Sequence, residues 1–280
     1  MELDDRIHSL TTLIIVNSPP LSLQGTGFFY HVLAPKDPSK DAQWREVKEI
    51  WLVTNRHILL PRVKEVDTVP AQFTFHLRIV DSKGKIDWLP VNLNRAEIKK
   101  RAKVYLPSVD VALVRIEDLI TGYAQSNVPI AFSTVGEDDF PGANKLNVEV
   151  TSDIIVAGYP RGFYDNFNKF PIVKAGIIAS RWLAPFQGEP KFLIDAKLFP
   201  GSSGSIVLSK PVNSVIEKGQ LFTSKEKRYC FLGVFSGEPY ETEKPVETDD
   251  MIIIQKQSFD VGYVWYYYLV PEIIKKGSTV

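Results

Sequence analysis

His57, Asp110 and Ser203 have the types, and the order along the chain, that acyl transfer to and from a serine requires. Ser203 stands in Phe-Pro-Gly-Ser-Ser-Gly-Ser, residues 199–205, a run of small residues after an expected strand. A serine hydroxyl is a poor nucleophile near neutral pH. It needs a base within hydrogen-bond reach, and that base needs an acceptor on its second nitrogen to hold the correct tautomer. His57, within Leu-Val-Thr-Asn-Arg-His-Ile-Leu, suits the base, because it follows the apolar run Ile50–Val53 where a buried strand would end. Asp110, within Ser-Val-Asp-Val-Ala-Leu-Val, suits the orienting acceptor. Gly201 tolerates backbone angles that other residues avoid, so its N–H and that of Ser203 are the expected donors to a developing oxyanion. Each residue alone would fit a structural role. Their conjunction points to catalysis.

These residues must be held by β-structure. Short segments rich in Val, Ile, Phe and Tyr, bounded by Gly, Pro, Asn and Asp, recur along the chain. A first set of expected strands is Thr11–Asn17, Gly25–Leu33, Ile50–Thr54, Phe73–Val80, Asp87–Leu93 and Lys103–Ile116. A second set is Leu146–Gly158, Phe170–Arg181, Phe192–Leu198, Ser205–Leu208, Tyr229–Ser236 and Val261–Leu269. Two such sets suit an all-β chain of two six-stranded antiparallel barrels. Residues 1–137 would carry His57 and Asp110, residues 138–280 would carry Ser203, and the two would work as one unit. On the expected strand through Asp110, Val109, Val111 and Leu113 point one way and Asp110 the other. Glu117–Asn127 reads as a helical turn, Asp138–Ala143 as the crossing linker, and Pro271–Lys276 as a short C-terminal helix. Pro35–Lys48, Lys210–Lys227 and Glu238–Asp250 read as long exposed loops.

The bulk properties narrow the function. The 280 residues are 44% hydrophobic and 24% charged, with 33 basic and 33 acidic side chains and no net charge. That balance argues against nucleic acid or an anionic membrane as the main partner. No apolar run approaches the roughly 20 residues of a spanning helix. The acidic start, Met-Glu-Leu-Asp-Asp, is unlike a signal peptide. A cytoplasmic location is the expectation, and the single cysteine, Cys230, allows no intrachain disulfide. No cluster has metal-ligand spacing and no glycine-rich phosphate loop is present, so no metal or cofactor is expected. The basic cluster Lys99, Lys100, Arg101 and Lys103 reads as a solvated strand edge or hairpin, and the aromatic run Trp265–Tyr268 as core plus rim. An α/β-hydrolase would place its histidine after the serine, but no histidine follows position 76.

The motifs resemble those of the trypsin-like (chymotrypsin-fold) serine peptidases, and more closely the bacterial, disulfide-free branch that includes the HtrA-like proteases. Gly25-Thr26-Gly27-Phe28-Phe29 resembles the family's entry strand, Thr54-Asn55-Arg56-His57 its histidine motif, and Asp110-Val111-Ala112-Leu113 its aspartate motif. Gly158-Tyr159-Pro160 is similar to a turn of the second barrel, Phe199–Ser205 to the nucleophile loop, and Gly233–Gly237 to the strand that pairs with substrate. The resemblance implies a serine endopeptidase acting on protein or peptide through an acyl-enzyme. It implies that Ser236, Gly237 and Glu238 border the substrate, that Lys197 floors the primary pocket, and that Gly262 lines its opposite wall. Read by itself, Glu238 is a solvated rim carboxylate. The alternative is a silent or partner-activated peptide-binding module on the same fold. No PDZ module is expected within these residues. Position 202 is Ser where zymogen-activated relatives carry Asp, so activation by a freed N-terminus is not expected. Control would then lie in the loops, in assembly or in a regulatory protein partner.

Overall fold

Strand placement follows the apolar alternation, and strand pairing decides where the two halves of the chain differ. The computed structural model describes residues 3–19, 21–35, 45–144, 146–160, 163–217, 219–242, 246–248, 251–253 and 256–280. The chain is mostly β. Its C-terminal half closes a six-stranded barrel from Asp153–Gly158, Ile172–Ile178, Lys191–Asp195, Val261–Tyr266, Phe231–Gly237 and Ile206–Ser209. Phe192, Ile194, Val207, Phe235 and Tyr266 fill it.

The N-terminal half supplies eight strands of a nine-stranded antiparallel sheet, the ninth being Ser278–Thr279, where a ring of six was expected. Thr11–Ser18, Leu21–Leu33, Val47–Thr54, Ala112–Arg115 and Ala102–Val104 follow one another across it. Gln72–Val80 pairs with Thr11–Ser18 at one end and with Ile130–Ala131 at the other. Its second edge is covered by Ile86–Asn94, which pairs with nothing else and tolerates Pro90 for that reason. At the opposite end of the sheet, the edge that would close the ring is taken by Ser278–Thr279. The sheet still encloses its own core, built from Ile14, Phe29, Leu52, Phe73, Phe75 and Ala112.

A third cluster joins the halves. Phe28, Tyr30, Trp51 and Val53 pack with Ala157, Ile206, Phe231 and Trp265 and with Leu269, Val270 and Ile273 of the C-terminal helix. Burial of such apolar surface stabilises the junction by about 25 cal/mol per Å². The helix Leu3–Leu10, which the sequence reading did not anticipate, adds Ile7 and Leu10 to this cluster. The C-terminal helix runs Leu269–Lys276, starting before the expected Pro271, and a proline in the first turn costs no intrahelical hydrogen bond.

Several expectations need correction. The strand Lys103–Ile116 is two strands, Ala102–Val104 and Ala112–Arg115, which pair with each other. Pro107 lies in the turn between them, where a missing N–H breaks no ladder. Asp110 therefore sits in a loop, and the alternation around it is not that of a strand. Lys99, Lys100 and Arg101 are on a helix, Arg95–Arg101. Asn94 Oδ1 accepts from the N–H groups of Ala96 and Glu97, while Glu97 Oε2 accepts from Asn94 N–H at 2.9 Å, a reciprocal cap. The cations occupy its last turn, where the helix dipole favours them. Arg101 grips Asp118 with both guanidinium nitrogens and holds that carboxyl below the usual range.

The region Lys210–Lys227 is largely a hairpin, Val212–Glu217 with Gln220–Arg228, formed because its β-branched residues pair despite their exposure. Glu238–Asp250 includes the short strands Tyr240–Thr242 and Val246–Thr248, and its remainder is partly outside the described residues. Most of Pro35–Lys48 is also outside them. Glu117–Gln125 is the expected helix, and the crossing segment holds a 3-10 turn, Glu137–Asp139, and a short helix, Pro141–Asn144. Among the described residues no helix is long and apolar enough to cross a membrane.

Candidate active site

Val47–Thr54 delivers the histidine. The strand ends at Thr54, Asn55 caps a single helical turn, Arg56–Leu59, and the turn starts His57 toward the loop carrying Asp110. His57 N–H donates to Asp110 Oδ1 at 2.9 Å, and His57 Nδ1 lies 2.7 Å from Asp110 Oδ2. An ionised carboxylate only accepts, so Nδ1 carries the proton and Nε2 is left with a lone pair. Asn55 Nδ2 donates to the Asp110 carbonyl at 2.7 Å and fixes the backbone of that loop. The imidazole side chain is 44% exposed, open enough to meet a substrate.

The serine loop is shaped by two glycines in the left-handed region, Gly201 at φ 91° and Gly204 at φ 84°. Ser202 N–H donates to Phe199 C=O at 3.0 Å, and Gly204 N–H to Phe235 C=O at 2.8 Å. Between them, the N–H groups of Gly201 and Ser203 donate to no acceptor among the described residues. Two unpaired donors, one on each side of Ser202, are what an oxyanion needs. Ser203 is half-buried, whereas Ser202 and Ser205 are 3% and 0% exposed, so Ser203 is the reachable hydroxyl of the three.

Ser236 ties the two parts together. The register of Phe231–Gly237 against Val261–Tyr266 shifts between Phe235 and Gly237, leaving Ser236 as a bulge that turns its polar groups inward. Its hydroxyl donates to Asp110 Oδ2 at 2.5 Å, and its carbonyl accepts from Ser203 Oγ at 2.9 Å. Ser236 thus touches Ser203 through its carbonyl and the Asp110–His57 pair through its hydroxyl. Sequence reasoning placed Ser236 beside the substrate and missed this joining position. It also missed Asn55, although that residue stands inside the motif that located His57.

The remaining predicted positions are less engaged. Lys197 is exposed, and Glu238 is half-buried with Ser258 Oγ donating to its Oε2 at 3.2 Å. Gly237 is half-buried. Gly262 is buried opposite Ile194, and an added Cβ would meet the Phe235 ring at 2.6 Å. None of these four is bonded to His57, Asp110 or Ser203.

Residues 25–216 match the trypsin-like peptidase domain. The chain belongs to that family. No curated protein matches it. Among solved structures, this trypsin-like peptidase is similar to the catalytically inactive tobacco etch virus protease complexed with substrate, at 10% identity and a TM-score of 0.50, covering 99% of this chain and 88% of that one. It is also similar to the active form of the Rv3671c protease from M. tuberculosis, at 18% identity and a TM-score of 0.46, covering 98% and 83%. A third is the protease Anisep from Arthrobacter nicotinovorans, at 12% identity and a TM-score of 0.46, covering 96% and 95%. At these identities the likeness concerns the fold alone.

The single cysteine of this peptidase, Cys230, lies apart from Ser203. Cys230 is buried in the C-terminal barrel core, and burial pushes its thiol up to about 12. A thiol held protonated and out of solvent is inert. Iodoacetamide at neutral pH is therefore expected to leave the native protein unmodified and its hydrolytic activity intact, and to alkylate Cys230 only after unfolding. Inhibition of the folded protein in step with Cys230 alkylation, read by mass spectrometry, would contradict this.

Proposed function

We propose that this peptidase is a serine endopeptidase that cuts peptide bonds through His57, Asp110 and Ser203. The reading is carried by one observation: Ser236 connects the Ser203 hydroxyl to the Asp110–His57 pair, next to two unpaired backbone donors. In the resting site the Ser203 hydroxyl points at the Ser236 carbonyl. Rotation about its Cα–Cβ bond turns it toward His57 Nε2, and catalytic hydrogen bonds commonly tighten only once substrate is bound.

Ser203 Oγ then attacks the scissile carbonyl carbon while its proton passes to His57 Nε2. The new oxyanion lies against the N–H groups of Gly201 and Ser203, and Asp110 stabilises the imidazolium that forms. Collapse of the tetrahedral intermediate sends the proton from His57 to the leaving amine and leaves an acyl group on Ser203. Water attacks that ester, giving its proton to His57; the C–Oγ bond then breaks, His57 returns the proton to Ser203 Oγ, and the new carboxylic acid leaves. An extended substrate would add its backbone along the Ser236–Glu238 segment, with Lys197 and Gly262 bordering the pocket for the side chain before the cut. Residues 1–137 supply the base and its orienting carboxylate, and residues 138–280 the nucleophile.

A fluorophosphonate probe tests the reading. The wild-type protein is expected to carry one adduct, located on Ser203 by peptide mass spectrometry. Ser203→Ala is expected to lose the adduct and all peptide cleavage while keeping its circular dichroism spectrum. An unlabelled wild type, under conditions that label a related serine protease, would overturn the proposal.

A further inference from the structure

Thr26 is fully buried in the N-terminal sheet, yet every polar group it has faces another part of the active site. Its N–H donates to the Ser203 carbonyl at 2.8 Å. Its carbonyl accepts from Thr54 Oγ1 at 2.8 Å, at the end of the strand that delivers His57. Its hydroxyl accepts from Tyr159 N–H at 2.9 Å and donates to the Gly201 carbonyl at 3.2 Å. The loop lies so close that a Cβ on Gly204 would sit 2.0 Å from the Thr26 carbonyl oxygen.

The hydroxyl contact has a consequence for the oxyanion donors. The peptide between Gly201 and Ser202 is held at both ends, its carbonyl by Thr26 Oγ1 and its N–H by Phe199 C=O. The two unpaired N–H groups flank that peptide on either side. Gly201, with no side chain and a positive φ, is the residue at which the loop would most readily rotate. A rotation there would swing one donor away from the point that both must reach.

We propose that the Thr26 hydroxyl is a positioning residue for catalysis, holding the Gly201–Ser202 peptide so that the Gly201 and Ser203 N–H groups converge on one oxyanion. The inference rests on the serine endopeptidase reading and assigns Thr26 no contact with substrate. A valine in its place keeps the shape, removes the hydroxyl, and leaves the Gly201 carbonyl and Tyr159 N–H unpaired. A lost or displaced oxyanion donor costs about ten- to a hundred-fold or more in rate.

The test compares Thr26→Val and Thr26→Ser with wild type, adding Thr26→Ala in case valine does not fold, each checked by its thermal midpoint. In the hydroxyl-free variants, fluorophosphonate acylation and kcat are expected to fall about ten- to a hundred-fold, with KM changed by less than about threefold. Thr26→Ser, which retains the hydroxyl, is expected to recover most of the rate. Amide hydrogen exchange is expected to quicken at Ser202 and Gly204 in the hydroxyl-free variants. Wild-type acylation by a folded hydroxyl-free variant would overturn the inference, as would a Thr26→Ser protein as slow as they are. Absence of labelling in wild type itself would instead defeat the serine endopeptidase reading. Exchange at Ser202 and Gly204 would still judge the clamp in that case, and unchanged exchange would overturn it.

Discussion

Asp110→Asn is expected to leave the fold in place and to lower kcat by about four orders of magnitude. Three donors converge on this carboxylate: the His57 N–H, His57 Nδ1 and the Ser236 hydroxyl. An amide has one oxygen where the carboxylate has two. If that oxygen faces Nδ1, the amide NH2 points at the His57 backbone N–H, donor against donor. If the NH2 faces Nδ1 instead, the imidazole must carry its proton on Nε2 and can no longer take one from Ser203. The second arrangement avoids that clash and is the one the site will adopt, so the base is lost, while Asn55 still anchors the loop through the residue-110 carbonyl. Steady-state kinetics on a peptide substrate, with near-ultraviolet circular dichroism as the control for folding, would measure the effect. A fall in kcat of less than about tenfold would mean that Asp110 does not set the tautomer.

Gly204→Ala is expected to destabilise the protein by about 3–5 kcal/mol, at the upper end for a point change. Two independent penalties act at this position. Its φ of 84° lies where an L side chain is strained by about 1–2 kcal/mol. The added Cβ would also lie 2.0 Å from the Thr26 carbonyl oxygen and 2.6 Å from Thr54 Oγ1. The nearer atom belongs to the backbone of a buried strand, so no flexible side-chain end can yield. The loop must move away from the sheet, and Ser203, one residue earlier, moves with it. Calorimetry should show the midpoint lowered by about 10 °C, and any folded fraction should acylate slowly. A variant with wild-type stability would show that the loop can shift at little cost.

The parts of the site that were legible in the sequence are those whose residue types carry their own geometry. Glycine at 201 and 204 announces positive φ, and serine between them announces a polar turn. His57 was found because an apolar strand visibly ends just before it. Asp110 is read from the sequence as a strand residue and lies in a loop, because Val109, Val111 and Leu113 are all buried and mimic alternation. They are buried in the cluster that joins the two halves, and the nearby Pro107 is the signal that the strand is broken. The bulge at Ser236 depends on its register against Val261–Tyr266, which local sequence does not encode. Thr26 meets Tyr159 and Gly201 from 133 and 175 residues away, so its role could not be read from its neighbours. The helix Arg95–Arg101 was legible, since Asn94 and Glu97 have the spacing of a reciprocal cap, but the run of cations drew the reading to a hairpin.

The pairing of Ser278–Thr279 with Ala102–Val104 also bears on the order in which the chain can assemble during synthesis. Lys103 reaches the Ile274 carbonyl across 171 residues, and Val280 packs against the core of the N-terminal sheet. A nascent chain exposes the edge of its first sheet until Ser278–Thr279 has been made, and contacts of such range form slowly. The His57–Asp110 pair can meet early, but Ser236 joins it only after most of the chain has been made. On the proposed mechanism the three groups can act together only once both halves exist, and until then the unfinished sheet edge is the stretch that a chaperone would have to cover.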